Sequence, residues 1–144
     1  MEMIIFIGIP ASGKSSLYKD IFFNTHIRIS MDLLNTRNKE GKLLRYCFET
    51  QSKMVIDNTN ITKEDRKKYI KLAKQNKYKV VGYYFESNIS DALERNKYRK
   101  DTINEAGIKS KYKELEKPLY EEGFDHIHTV KIIDNKFIIS PYEI

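Results

Sequence analysis

The sequence predicts an α/β fold, a three-layer sandwich with a central, mostly parallel sheet, and three observations carry that expectation. Short apolar runs of strand length alternate with stretches of helical periodicity from one end of the chain to the other. The runs are continuous, as in strands buried on both faces. Between the first strand and the first helix lies Gly8-Ile9-Pro10-Ala11-Ser12-Gly13-Lys14-Ser15, which has the form G-x-x-x-x-G-K-S. That motif in that setting is the phosphate-binding loop of kinase-type P-loop NTPases.

Residues 3–7 are the first strand, and residues 16–23, with apolar side chains at helical spacing, are the first helix. Between them the glycines let backbone N–H groups close around a triphosphate, and the helix opening at Ser16 points its positive end at the same anion. Pro10, Ala11 and Ser12 complete the loop. Lys14 is placed to reach the β- and γ-phosphates, and Ser15 to offer its hydroxyl to Mg²⁺. A surface turn of similar composition is the alternative, and the flanking elements argue against it. The chain therefore reads as a binder of ATP·Mg²⁺ or a related triphosphate.

Residues 26–30 are a second strand, and residues 42–53 a helix with Leu43, Leu44, Cys47 and Phe48 on one face. Residues 54–57 are a third strand that ends on the carboxylate of Asp57. Thr62 caps a long helix through Lys74, with Asp65 in its first turn. Residues 78–85 form a fourth strand. Further helices are expected over 90–99 and within 111–122, and late strands at 129–133 and 137–139 flank a turn at Asp134-Asn135. Residues 35–41 and 101–111 are the least regular, and the region around 95–111 is the better candidate for a lid.

The 144 residues fit one domain with a single core. A net charge of +6 suits either a polyanionic partner or a lysine-rich solvated surface. With Cys47 as the single cysteine no internal disulfide forms, in keeping with a reducing, cytoplasmic setting. No apolar run approaches the ~20 residues of a membrane span. The N-terminal run lacks the basic flank of a signal peptide. The three histidines show no metal-ligand spacing with the cysteine.

Open α/β sheets bind ligands beyond the carboxyl ends of their strands, so the residues just after each strand are the candidates for chemistry. Asp32 stands two residues beyond the second strand, either as a base for a reacting hydroxyl or as a helix cap. Asp57, an acid at the end of an apolar strand, is suited to hold Mg²⁺ through its water shell. Asn58 and Asn60 after it are either ligand contacts or turn formers. Arg95 and Arg99 share a helix face and either clamp phosphates or make surface ion pairs. Lys63, Lys67, Lys71 and Lys74 form a stripe whose default role is a solvated face, with a phosphate-tracking surface as the alternative.

These segments resemble the kinase module of phage and metazoan polynucleotide 5′-hydroxyl kinases, within the P-loop kinase group. The match runs through the phosphate loop, Ile29-Ser30-Met31-Asp32, Ile56-Asp57-Asn58-Thr59-Asn60 and Arg95-Asn96-Lys97-Tyr98-Arg99, with a weaker continuation over residues 112–124. The resemblance implies that Asp32 is the general base on an acceptor 5′-hydroxyl, that Lys14 and Ser15 hold ATP·Mg²⁺, and that Arg99 with Arg95 belongs to a lid. The family's phage member has an acceptor-contacting arginine three residues after the base. Asn35 stands there in this chain, with Arg37 the nearest substitute. No phosphatase or ligase module follows, so a repair role calls for a separate partner enzyme. The leading expectation is transfer of the γ-phosphate of ATP to the 5′-hydroxyl end of DNA or RNA. A small-molecule hydroxyl kinase for a nucleoside, sugar or antibiotic is the alternative. A slow nucleotide-hydrolysing switch is the third, and the missing N-K-x-D run argues against its guanine-specific form.

Overall fold

Met3, Ile4, Ile5, Phe6 and Ile7 are all essentially inaccessible, and that one run accounts for the centre of the molecule. They belong to β1 (Glu2–Ile7), which pairs in parallel with β3 (Met54–Ile56) on one side and β4 (Lys79–Phe85) on the other. The computed structural model describes residues 1–100 and 102–143. Its sheet has six strands in the order β2-β3-β1-β4-β5-β6, with β2 at Ile27–Ile29, β5 at His126–Ile133 and β6 at Lys136–Pro141. Only β6 runs antiparallel, joined to β5 through Asp134 and Asn135. Both turn residues have positive φ, as a tight hairpin whose twist matches its strands requires.

Strand side chains alternate between faces, so β1 feeds two cores. Met3, Ile5 and Ile7 pack with Leu44, Cys47 and Phe48 of α3 (Arg37–Glu49) and with Tyr69, Ile70 and Ala73 of α4 (Lys63–Gln75). Ile4 and Phe6 pack on the other side against Leu17, Tyr18 and Phe22. Those three belong to α1 (Lys14–Leu17) and the π-helical turn Tyr18–Phe22 that continues it. The remaining helices are α2 (Met31–Leu34), α5 (Ile89–Lys97) and α6 (Glu105–Glu114). Neighbouring strands change from β3 to β4 across β1, so the crevice at its carboxyl end is the topological switch point of the sheet.

Four expectations need correction. The helix placed at 42–53 starts at Arg37, because the Thr36 hydroxyl accepts from the Lys39 N–H and caps it, and it stops at Glu49. Residues 35–41 are therefore mostly helical, with only Asn35 (φ 67°) and Thr36 bridging α2 and α3. The stretch 101–111 is not irregular throughout either, since Asn104 caps α6. Asp101, at its start, lies outside the described residues. The helix expected within 111–122 is there only in part, because α6 ends at Glu114. The chain leaves α6 extended at Leu115, Pro118 cannot donate to a helical ladder, and only a short 3₁₀ turn forms at Tyr120–Glu122. The capping box at the start of α4 forms as the sequence predicts, with Thr62 and Asp65 satisfying each other's backbone N–H.

Candidate active site

The loop after β1 takes its shape from two residues in the left-handed region, Ala11 (φ 63°) and Gly13 (φ 96°). A Cβ at Gly13 would stand 3.0 Å from Ile132 Cδ1 and 3.1 Å from Phe137 Cε1, so the loop leans on the β5–β6 hairpin. The Gly8 N–H donates to the carbonyl of Thr59 (3.0 Å), which stitches the first loop to the turn after β3. Lys14 Nζ curls over the loop and donates to the carbonyls of Ile9 (2.8 Å) and Gly8 (3.1 Å) and to Ser12 Oγ (3.3 Å). Burial pushes its ammonium down to about 8, against the pull of Asp57 and Asp32 and with help from the Arg99 charge.

Asp57 is 4% exposed. Its Oδ2 accepts from Ser15 Oγ (3.0 Å) and from Arg28 Nε (2.7 Å), while Arg28 Nη2 donates to Ser15 Oγ (3.2 Å). A hydroxyl beside a buried carboxylate is the oxygen pair expected of a site for Mg²⁺, which takes one or two protein oxygens and keeps phosphate and water for the rest. The protein donors fit that ion without a cage. Among the described residues no group of three His, Cys, Asp or Glu gathers for any metal.

Asp32 is exposed and lines the same cleft, whose volume is about 560 Å³. Ser30, not Asp32, occupies the N-cap position of α2, so the capping alternative does not apply. Asn58 binds the start of that helix: its Oδ1 accepts from the Met31 N–H (2.9 Å), and its Nδ2 donates to Tyr69 Oη (3.2 Å). Arg37 also lines the cleft.

From the far side come Arg95 and Arg99, which both line the cleft with Ile103. Arg95 Nε donates to the Ala11 carbonyl (3.0 Å), and its buried Nη2 has no partner among the described residues. Asn96 closes the loop between α5 and α6 by exchanging two hydrogen bonds with the backbone of Ile103.

Three candidates do not line the cleft: Asn35, Asn60 and Gly8, which opens the loop and whose carbonyl accepts from Lys14 Nζ. Asn35 is the left-handed residue ending α2, and its amide donates back to the Leu33 carbonyl (3.5 Å). Asn60 is 4% exposed, and its amide donates inward to the Phe6 carbonyl (2.8 Å). Both asparagines hold backbone, which for Asn60 is the turn-forming alternative. Sequence reasoning missed Arg28, Glu40 and Tyr69. Only Arg28 left a signal, as a charge in the middle of a buried-strand pattern.

Loop, switch point and converging strand ends define a P-loop nucleotide-binding domain of the kinase type. The chain belongs to the AAA domain family, whose model matches residues 34–118. The phosphate loop lies outside that span, so loop and family match are separate observations. Among curated relatives, a bifunctional polynucleotide phosphatase/kinase of Schizosaccharomyces pombe is 29% identical over 135 residues, 90% of this chain and 33% of its own. A protein of Acanthamoeba polyphaga mimivirus described in the same terms is 31% identical over 96% of this chain and 35% of its own. The chain thus spans about a third of the length of these relatives.

Among solved structures, Chaetomium thermophilum Kti12 in complex with ADP-AlF3 superposes with a TM-score of 0.72 at 14% identity, covering 90% of this chain and 88% of that one. A gluconokinase from Sinorhizobium meliloti 1021 gives 0.64 at 18%, covering 90% and 82%. At these identities the likeness is one of fold. Among the described residues no helix is long and apolar enough to cross a membrane.

Proposed function

We propose that this chain is an ATP-dependent phosphotransferase that moves the γ-phosphate of ATP to the 5′-hydroxyl end of DNA or RNA. The observation that carries the reading is a single cleft in which Lys14 and Ser15 meet a carboxylate from another strand end, Asp32. The names of the two curated relatives, polynucleotide phosphatase/kinases, support a polynucleotide acceptor.

In this reading the loop N–H groups and the Lys14 ammonium bind the β- and γ-phosphates. Ser15 and Asp57 would hold Mg²⁺, which when bound neutralises charge on the phosphate oxygens. Asp32 accepts the proton of the acceptor hydroxyl as that oxygen bonds to the γ-phosphorus. The bond from phosphorus to the bridging oxygen breaks, and ADP leaves. Arg95 and Arg99 stabilise the charge spread over the transferring oxygens. Arg37, on the Asp32 side, contacts the acceptor. Asn58 orients the backbone that carries the base.

The test is transfer of labelled γ-phosphate from ATP to a short 5′-hydroxyl oligonucleotide, with the 5′-phosphorylated oligonucleotide as control. Labelling of the hydroxyl end alone supports the reading. No labelling by a protein that binds ATP moves the acceptor to a small-molecule hydroxyl. Asp32→Asn should slow transfer by about 10²–10⁴-fold with ATP affinity held within about twofold. Near-normal transfer in that variant removes Asp32 from the base role.

A further inference from the structure

Behind the acceptor side of the cleft lies a carboxylate that the proposed chemistry does not use. Glu40 is 2% exposed, on the inner face of α3. An ionised group at that depth needs partners, and it has them. Its Oε2 accepts from Tyr69 Oη (2.7 Å), its Oε1 from Lys68 Nζ (3.0 Å), and both oxygens from Arg37 Nη1 (3.0 and 3.1 Å). Burial works against the charge, but the hydrogen bonds from Tyr69, Lys68 and Arg37 outweigh it and hold Glu40 below the ordinary carboxyl range.

Tyr69 Oη, on a side chain 1% exposed, accepts in turn from Arg37 Nη1 (3.1 Å) and Asn58 Nδ2 (3.2 Å). Asn58 Oδ1 accepts from the Met31 N–H, next to Asp32. One hydrogen-bonded chain therefore runs Met31–Asn58–Tyr69–Glu40–Arg37. Met31, Asn58 and Arg37 line the cleft, and the two interior members do not.

Joining α3 to α4 does not call for a charge, since an apolar pair would fill the space without the desolvation cost. What the carboxylate adds is a fixed direction for two cations that water would otherwise leave mobile. The Arg37 side chain is 63% exposed and that of Lys68 46%. Among the described residues only Nη1 of Arg37 is engaged, which leaves Nε and Nη2 for a ligand. An arginine held this way gives up less rotamer freedom when an anion binds.

We propose that Glu40 and Tyr69 are positioning residues that preset Arg37, with Lys68 beside it, for the phosphate backbone of the acceptor and tie it to the segment bearing Asp32. The inference rests on the nucleic-acid reading of the acceptor. It assigns the orientation of that contact to two buried groups that touch neither substrate.

The experiment uses the full chain, a 5′-hydroxyl oligonucleotide varied at saturating ATP, and the variants Tyr69→Phe, Arg37→Ala and both together, with Glu40→Gln as a second probe of the network. Tyr69→Phe keeps the packed ring and removes one oxygen, so it stays informative if Glu40→Gln fails to fold. Expected is a rise in KM for the oligonucleotide of about threefold to tenfold in Tyr69→Phe, with kcat within about twofold and KM for ATP unmoved. In the Arg37→Ala background Tyr69→Phe adds nothing further, because its effect passes through that arginine. A Tyr69→Phe effect that multiplies that of Arg37→Ala, or that falls on kcat with KM unmoved, overturns the positioning role while the acceptor reading stands. A wild-type protein that labels no oligonucleotide overturns both.

Discussion

Lys14 is a lysine whose ammonium gives up its proton near pH 8, and nucleotide binding should report it. The perturbation is pH between 7 and 9.5. An unperturbed lysine at 10.5 stays charged throughout that window, whereas a value of about 8 leaves the group about 90% charged at pH 7, half at pH 8 and about 10% at pH 9. A triphosphate on the loop favours the ammonium and lifts its pKa again. Affinity is then full below pH 8 and lost as pH rises through it, by about tenfold between pH 7 and 9. The same shift has the opposite sign for folding. The unfolded chain binds more protons between pH 8 and 10.5, so this group's contribution to stability rises with pH there. Isothermal titration of a non-hydrolysable ATP analogue, in two buffers of different ionisation enthalpy, reads both affinity and proton uptake. Binding at pH 9 should take up nearly one proton, against about a tenth of one at pH 7. Flat affinity to pH 9.5 with no uptake refutes the reasoning and returns Lys14 to an ordinary surface lysine.

Arg28→Ala strips the buried Asp57 of its charged partner and should cost about 2 kcal/mol, lowering Tm by about 5 °C. Millimolar Mg²⁺ should recover part of that loss, and a deficit indifferent to Mg²⁺ would separate Asp57 from metal binding. Gly13→Ala forces a Cβ into the left-handed region and against Ile132 and Phe137. It should lower stability by more than about 1 kcal/mol and weaken nucleotide binding at least about tenfold, read by urea unfolding and titration. Glu122→Ala removes the carboxylate that takes both Nε (2.7 Å) and Nη2 (2.9 Å) of the fully buried Arg66. Leaving that guanidinium with only the carbonyls of Asn60 and Glu116 should cost about 3–5 kcal/mol. A midpoint in urea within error of wild type would show that the carbonyls suffice.

How legible the molecule was depended on the range of the interaction involved. β1 itself and the loop–helix junction follow from local pattern, because a continuous apolar run and a Gly-rich turn each specify their own surroundings. The strand order rests instead on long-range pairing. The start of α3 was missed because a single threonine hydroxyl, Thr36, decides it, and such a hydroxyl serves a turn equally well. Pro118, inside the stretch expected to contain a helix, bars a helical ladder from crossing it, while α6 itself ends earlier, at Glu114. Asp32, Asp57 and the arginine pair could be named from their places after strands and on one helix face. Glu40 could not. Its 2% exposure depends on α4 delivering Tyr69 and Lys68 across a packed interface, and nothing within a helical turn of Glu40 announces that. Asn58 and Asn60 look alike in sequence but part company in space, one lining the cleft and the other buried against the Phe6 carbonyl of β1.

The phosphate loop near residue 10 rests on Ile132 and Phe137, which come from the last hairpin of the sheet. A chain leaving the ribosome therefore makes its loop before the hairpin that supports it. Between those moments the glycine-rich segment has the right sequence but no floor, since β4 must first add to β1 and β5 to β4 through parallel pairings that form slowly. Nucleotide recognition then waits on the hairpin. A lesion in the hairpin, far along the chain from Lys14, should act like a lesion in the loop itself.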